Sequence, residues 1–207
     1  MVLISFITLT AFTILKEKRT RINAPGPLPI AVLKVGDTYK GGYVAYLLKS
    51  GDAGYDANTQ HGLLAAPADI IVGTQMQFVW DNPGTAATGA TGNTLFSGVE
   101  NTTKIIAATS NRATAAKYCS SYTLTGNTGQ WYLPCGDELY KLYTGIGSRV
   151  GVANAPDPNK YGFYPNPYWS SFEQSATQAQ SFNFYTGTAY NGTPKNGTKR
   201  IRAVQRF

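Results

Sequence analysis

The chain has one histidine, His61, and two cysteines, Cys119 and Cys135. With no CxxC pair and no Cys/His cluster, a zinc site is not expected, and neither is any other metal or cofactor. Charge is scarce as well, at 14% of 207 residues. Glycoside hydrolysis needs two carboxylates facing each other across a cleft, and the eleven acids offer no obvious pair. The chain is therefore expected not to be an enzyme, with a polysaccharide-acting hydrolase as an alternative. Basic residues interleaved with aromatics across one face are also missing, which argues against a nucleic-acid partner. The formal charge of +7 belongs to the two ends: Lys16, Lys18, Arg19 and Arg21 at one, Lys195, Lys199, Arg200, Arg202 and Arg206 at the other. The middle of the chain is close to neutral.

No apolar run reaches the length of a membrane span. The most apolar segment, Met1 to Leu15, would extend only about 22 Å as a helix, against roughly 30 Å of hydrocarbon. Its basic residues follow the apolar run, the reverse of a secretory signal. From Thr8 to Ile14 polar and apolar residues alternate, as in a strand buried by other subunits. Residues 1–22 are expected to form an apolar and basic anchor through Phe6, Ile7, Leu9, Phe12, Ile14 and Leu15. Whether that anchor meets a membrane or a protein interface stays open. Residues 23–30, NAPGPLPI, are a Pro/Gly linker, and 31–207 are expected to form one domain.

Glycine (22) and tyrosine (14) are present in quantity, which suits a loop-rich, nearly neutral, aromatic-studded surface. Such surfaces occur in extracellular and virion proteins. Val35 to Leu48 and His61 to Pro67 read as an antiparallel hairpin joined by a long loop. Asp52, Asp56 and Asn58 in that loop lack EF-hand spacing and read as solvated. Trp80 to Gly98 is a long Gly/Thr-rich loop, and Glu100 to Cys119 reads as an amphipathic helix interrupted near Ser110. Thr144 to Pro167 should be irregular. Tyr168 to Phe172 and Ala179 to Tyr185 read as strands, and Thr186 to Thr198 as a series of turns. Lys199 to Phe207 should close the chain as a strand, with Arg200, Arg202, Val204 and Arg206 on one face, their stems packed and their heads in water.

The chain is organised around Gly129 to Tyr143, GQWYLPCGDELYKLY. An extended run ends at Pro134 and delivers into a helix with Asp137 and Glu138 in its first turn. Position 135 is the N-cap and Glu138 stands three residues on, so the outline is a capping box with Cys135 where Ser or Thr would supply the oxygen. Cys119 and Cys135 could be two buried thiols or one disulfide, whose local loop would contribute about 3 kcal/mol in the chain-entropy model.

The motifs VGDTYKGG, QHGLLAAP, AAKYC, WYLPCGDEL, YWSS and IRAVQRF occur in an order and spacing that resembles the Lcl C-terminal domain family, a C-type-lectin-like module of bacterial surface proteins and phage fibres. The resemblance covers Val35 to Phe207. It implies an α+β fold with two helices (Glu100 to Cys119 and Gly136 to Tyr143), small antiparallel sheets and long loops. It also implies that Val35 to Leu48 pairs with Ile201 to Phe207 near the domain base, with Trp131 and Trp169 in the core. That family usually has Ser at the position of Cys135, so the resemblance makes a bridge to Cys119 the gain that accompanies the lost cap. The calcium-sugar motifs of animal C-type lectins are missing.

The function expected on this basis is a non-enzymatic structural or display protein of a larger assembly. A phage virion comes first, as a spike, fibre or capsid-associated protein at the virion surface. A bacterial cell-surface or pilus adhesin is the alternative. Residues 1–30 would contact other subunits, a homo-oligomer being expected, and the lectin-like domain would bind a host-surface glycan or receptor. The candidate contact residues are the loop aromatics Tyr161, Phe163, Tyr164, Tyr168, Phe172, Tyr185 and Tyr190, which can stack on sugar rings with little side-chain entropy to lose.

Overall fold

The computed structural model describes residues 32–147 and 158–207, all within the compact unit Val32–Phe207. The expected anchor residues Phe6, Ile7, Leu9, Phe12, Ile14 and Leu15, and the linker 23–30, lie outside the described residues.

The unit is α+β, with few helices and small antiparallel sheets. The first sheet is formed by β1 (Thr38–Tyr39), β2 (Gly42–Leu47), β3 (Gly62–Ala65) and β9 (Val204–Arg206), in the order β1-β2-β3-β9. The hairpin expected from the alternation in 35–67 is present as β2 and β3, with a bulge between Val44 and Tyr46. The expected pairing of Val35–Leu48 with the chain end is not: β3 lies between them, and Leu63, Leu64 and Ala65 face Arg206, Gln205 and Val204. A short-range hairpin forms at lower loop-closure cost and leaves only the far edge of β3 for the distant segment.

The second sheet contains β5 (Pro167–Glu173), β6 (Gln178–Asn183) and β7 (Thr188–Pro194) in sequence order. The strand β7 replaces the turns expected over 186–198. Its Ala, Asn, Gly and Pro residues have low strand propensity, but pairing with β6 from Asn183↔Thr188 to Gln178↔Pro194 overrides it. A third, two-stranded sheet joins β4 (Phe78–Val79) to β8 (Thr198–Lys199).

The expected helix over 100–119 is two helices, α1 (Ser97–Ala108) and α2 (Ala115–Ser120). The break falls where expected, at Ser110 and Asn111, both in the left-handed region. The second helix restarts on Thr114, whose hydroxyl accepts from the Lys117 N–H at 3.2 Å. The organising stretch delivers into α3 (Gly136–Gly145). The 144–167 segment is not wholly irregular, because α3 runs on to Gly145 and a single turn, α4, spans Pro158–Tyr161.

Two apolar clusters fill the interior. One gathers Phe78, Trp80, Ile105, Trp131 and Trp169; the other gathers Leu63, Tyr132, Leu139, Leu142, Tyr168, Phe182 and Phe184. Trp131 and Trp169 are core residues, as expected. The indole N–H of Trp169 donates to the Phe78 carbonyl at 2.7 Å and that of Trp80 to the Ser170 carbonyl at 2.8 Å. These bonds pin β4 and β5 together through otherwise apolar side chains.

Candidate functional site

Four buried acids hold the loops in place. At the junction of the organising stretch, Glu138 is fully buried and accepts from the Tyr132 hydroxyl (2.6 Å), the Cys135 N–H (2.8 Å) and the Phe96 N–H (3.1 Å). It thereby fixes the starts of both α1 and α3. Gly98 makes room for it: a Cβ there would overlap the Glu138 carboxylate and the Leu133 carbonyl. The capping box expected over 135–138 is therefore present, with Glu138 taking the Cys135 N–H and the Cys135 side chain facing the Glu138 N–H, and the Cys135 thiol also donates to the Thr94 carbonyl at 3.2 Å. Burial raises the carboxyl of Glu138 to about 7, against the pull of its three donors.

Asp69 is the second buried acid. It accepts from Arg202 Nε at 2.8 Å, Arg200 Nη1 at 3.1 Å and the Tyr168 hydroxyl at 2.8 Å. Arg202 then donates to the carbonyls of Ala66 (2.8 Å), Tyr161 (3.1 Å) and Gly162. Its guanidinium lies 4.0 Å over the Phe163 ring, and that of Arg200 lies 3.8 Å over Tyr164. This overturns the expectation that Arg200 and Arg202 send their heads to water: Arg202 has no exposed surface and Arg200 is 8% exposed. Arg200 and Arg202 do share one side, as alternation expects, with Ile201 and Ala203 in the tryptophan cluster on the other, but both sides of this segment are buried. A buried guanidinium is tolerated only when its N–H groups find partners, and here carbonyls and Asp69 supply them.

Glu173 and Lys195 form the third clamp, also without exposed surface on the lysine. Lys195 Nζ donates to Glu173 and to the carbonyls of Ala86 (3.0 Å) and Ala176 (2.8 Å), 4.7 Å from the Trp80 ring centroid. Glu173 also accepts from the Thr88 and Gly89 N–H groups at 2.8 Å. Burial alone would raise its carboxyl, but Lys195 and the two backbone donors hold it below the usual range. Asp81, bound to Arg112 at 2.7 Å, is the fourth. Together these groups fix the 81–90 loop, the 161–166 loop and the 174–178 turn from beneath.

The seven candidate aromatics separate into two groups. Tyr161, Phe163 and Tyr168 are buried and cannot meet a ligand: Phe163 stacks on Phe184 at 4.8 Å and 8°, and Tyr168 bonds Asp69. The Gly/Asn/Pro context marked them as loop residues, but the arginines packed on this loop draw its aromatic rings inward. Burial, with Asp69 beside it, pushes the Tyr168 hydroxyl far above the ordinary tyrosine range. Phe172 is half-buried. Tyr164, Tyr185 and Tyr190 are 48%, 55% and 46% exposed. Tyr185 sits in the β6–β7 turn, with its N–H on the Asn183 side chain at 2.8 Å, and Tyr190 lies on the exposed strand β7.

Two tyrosines of α3 pack against the β6–β7 hairpin. Tyr140 is 52% exposed and meets Phe182 edge-on, and Tyr143 packs on Phe182 and Phe184. Helical spacing in KLY-type runs signals core, so sequence reading placed Tyr140 and Tyr143 only as parts of α3. Their proximity to the β6–β7 hairpin is a tertiary fact.

The two cysteines are free and buried, the first of the two alternatives left open above, and the bridge that the resemblance implied is not formed. Cys119 packs in the tryptophan cluster, whereas Cys135 faces Thr94 at the head of α3. Burial raises both thiols well above their ordinary value. Among the described residues no three His, Cys, Asp or Glu side chains come together as a metal site, and no helix is long and apolar enough to cross a membrane. No protein-family model matches this chain, and no curated protein matches it.

Proposed function

We propose that this chain is a non-enzymatic display protein of a larger assembly, a spike, fibre or capsid-associated protein of a phage virion, whose C-type-lectin-like domain binds a host-surface glycan or receptor. Residues 1–30 anchor it to other subunits, and copies of the chain assemble together. The observation that carries this reading is the use of buried charge. Asp69, Glu173 and Lys195 hold long, nearly uncharged loops in fixed positions; the exposed ring of Tyr164 stands on one of them, and those of Tyr185 and Tyr190 stand on the β6–β7 hairpin. A loop ordered before binding loses little entropy on contact, which favours recognition. Tyrosine offers a flat apolar face and a hydroxyl, the combination that a sugar ring requires. A bacterial surface adhesin would use the same residues in the same way, so the two differ in what surrounds residues 1–30 and not in the site.

The triple variant Tyr164→Ala, Tyr185→Ala, Tyr190→Ala tests the reading in the full chain, on a glycan array and on host-cell envelopes. Loss of binding with an unchanged melting curve is the expected result. Undiminished binding would remove these aromatics from the site.

A further inference from the structure

Away from the clamped loops, a cavity of about 550 Å3 opens between the 49–61 loop, the head of α1 and the end of β9. Its apolar walls are Leu48, Leu95, Phe96 and Phe207, and its polar groups are His61 and Arg206. That volume falls in the range of roughly 300–1,000 Å3 occupied by small-molecule sites. Two features suggest that it is built for a ligand. The first is Arg206. Arg200 and Arg202 are committed to Asp69, but among the described residues Arg206 forms no ion pair, and its exposed guanidinium stands 5.8 Å from the Phe96 ring centroid. The second is the fixed wall. Phe96 has φ 70°, a left-handed conformation that a bulky residue keeps only when its surroundings impose it. Here the Glu138 carboxylate takes its N–H. In the same lining, His61 Nδ1 lies 3.3 Å from the Phe207 main-chain oxygen, which orients the imidazole.

We propose that this cavity binds a small organic anion with an apolar body, an aryl or medium-chain carboxylate or sulfonate. The head group sits on Arg206 beside His61, and the body lies against Leu48, Leu95, Phe96 and Phe207. A permanent cation with no ion-pair partner among the described residues selects the charge, since a charge-assisted hydrogen bond outweighs a neutral one. The walls supply the affinity by burying apolar surface. This site is separate from the exposed tyrosines and does not depend on them.

Titration calorimetry of the full chain with naphthalenesulfonate, and with neutral naphthol as the uncharged counterpart, tests the proposal. Saturable binding of the sulfonate at one site is expected, with naphthol much weaker. Arg206→Gln changes an exposed side chain and should weaken the sulfonate about tenfold or more while leaving naphthol unaffected. Ala53→Trp, in the exposed loop at the cavity rim, should weaken both by filling the space. Circular dichroism confirms that both variants are folded. No saturable sulfonate binding at millimolar concentration, equal affinity for the two probes, or binding indifferent to both substitutions would overturn the proposal.

Discussion

Replacing Glu138 by glutamine isolates the energetic consequence of burying an acid at the hinge of this fold. Burial lifts its carboxyl from 4.5 to about 7, although Tyr132, Cys135 and Phe96 all donate to it. Because the folded value lies above the unfolded one, the native state holds a proton that the unfolded chain has released at intermediate pH. Stability from this group is therefore undiminished below about pH 4.5, falls as pH rises toward 7, and stays low above it. The interval of 4.5 to about 7 corresponds to about 3 kcal/mol. Glu138→Gln removes the titration. The amide also turns an N–H toward one of the three donors, a cost that is independent of pH and shifts the curve without tilting it. Urea unfolding at several pH values, followed by tryptophan fluorescence, gives ΔG by linear extrapolation. The difference, wild type minus variant, should fall by about 3 kcal/mol between pH 4.5 and 8. Parallel stability curves for the two proteins would refute the argument that burial dominates at this carboxylate.

Two further outcomes follow from the buried network. Asp69→Ala leaves two guanidinium groups and the Tyr168 hydroxyl without their shared acceptor, so urea unfolding should show a loss of about 3–5 kcal/mol; a loss below about 1 kcal/mol would mean that the arginines re-pair at no cost. Cys119 and Cys135 are free and buried with raised thiol pKa values, so a thiol reagent should label neither in the native protein at neutral pH and both after denaturation. Rapid native labelling, or no labelling of the denatured non-reduced protein, would contradict the environment described for them.

Local signals reached the hinge and the hairpin because each is encoded by neighbours in sequence. Pro134, the acids at 137 and 138, and the alternation in 42–47 and 62–65 act over a few residues, and tertiary context agrees with them. The failures are non-local. β7 is a strand only because β6 lies beside it, and nothing in TAYNGTP announces that partner. Likewise Arg200 and Arg202 look like the outward face of a closing strand, since a period of two places them together. Their inward turn depends on Asp69, more than a hundred positions earlier in the chain. The exposed Tyr185 is legible as a turn aromatic and Tyr190 is exposed on a strand in place of the expected turn, whereas Tyr161, Phe163 and Tyr168 are claimed by the core.

The scarcity of charge takes on a different meaning once its location is known. A loop-rich domain must satisfy many backbone groups that helices and sheets would otherwise pair, and water can do so only at the surface. Here Arg202 and Lys195 carry donors to carbonyls at Ala66, Tyr161, Gly162, Ala86 and Ala176, while Glu173 takes the N–H groups of Thr88 and Gly89. Each charged side chain thus does for several loop residues what a ladder does for a strand. Apolar replacements could fill the same volume but would leave those backbone groups unpaired, so the buried charges determine which loop conformations exist. The outer surface is then free to be aromatic and nearly neutral, and Tyr164 can remain exposed without the loop beneath it collapsing.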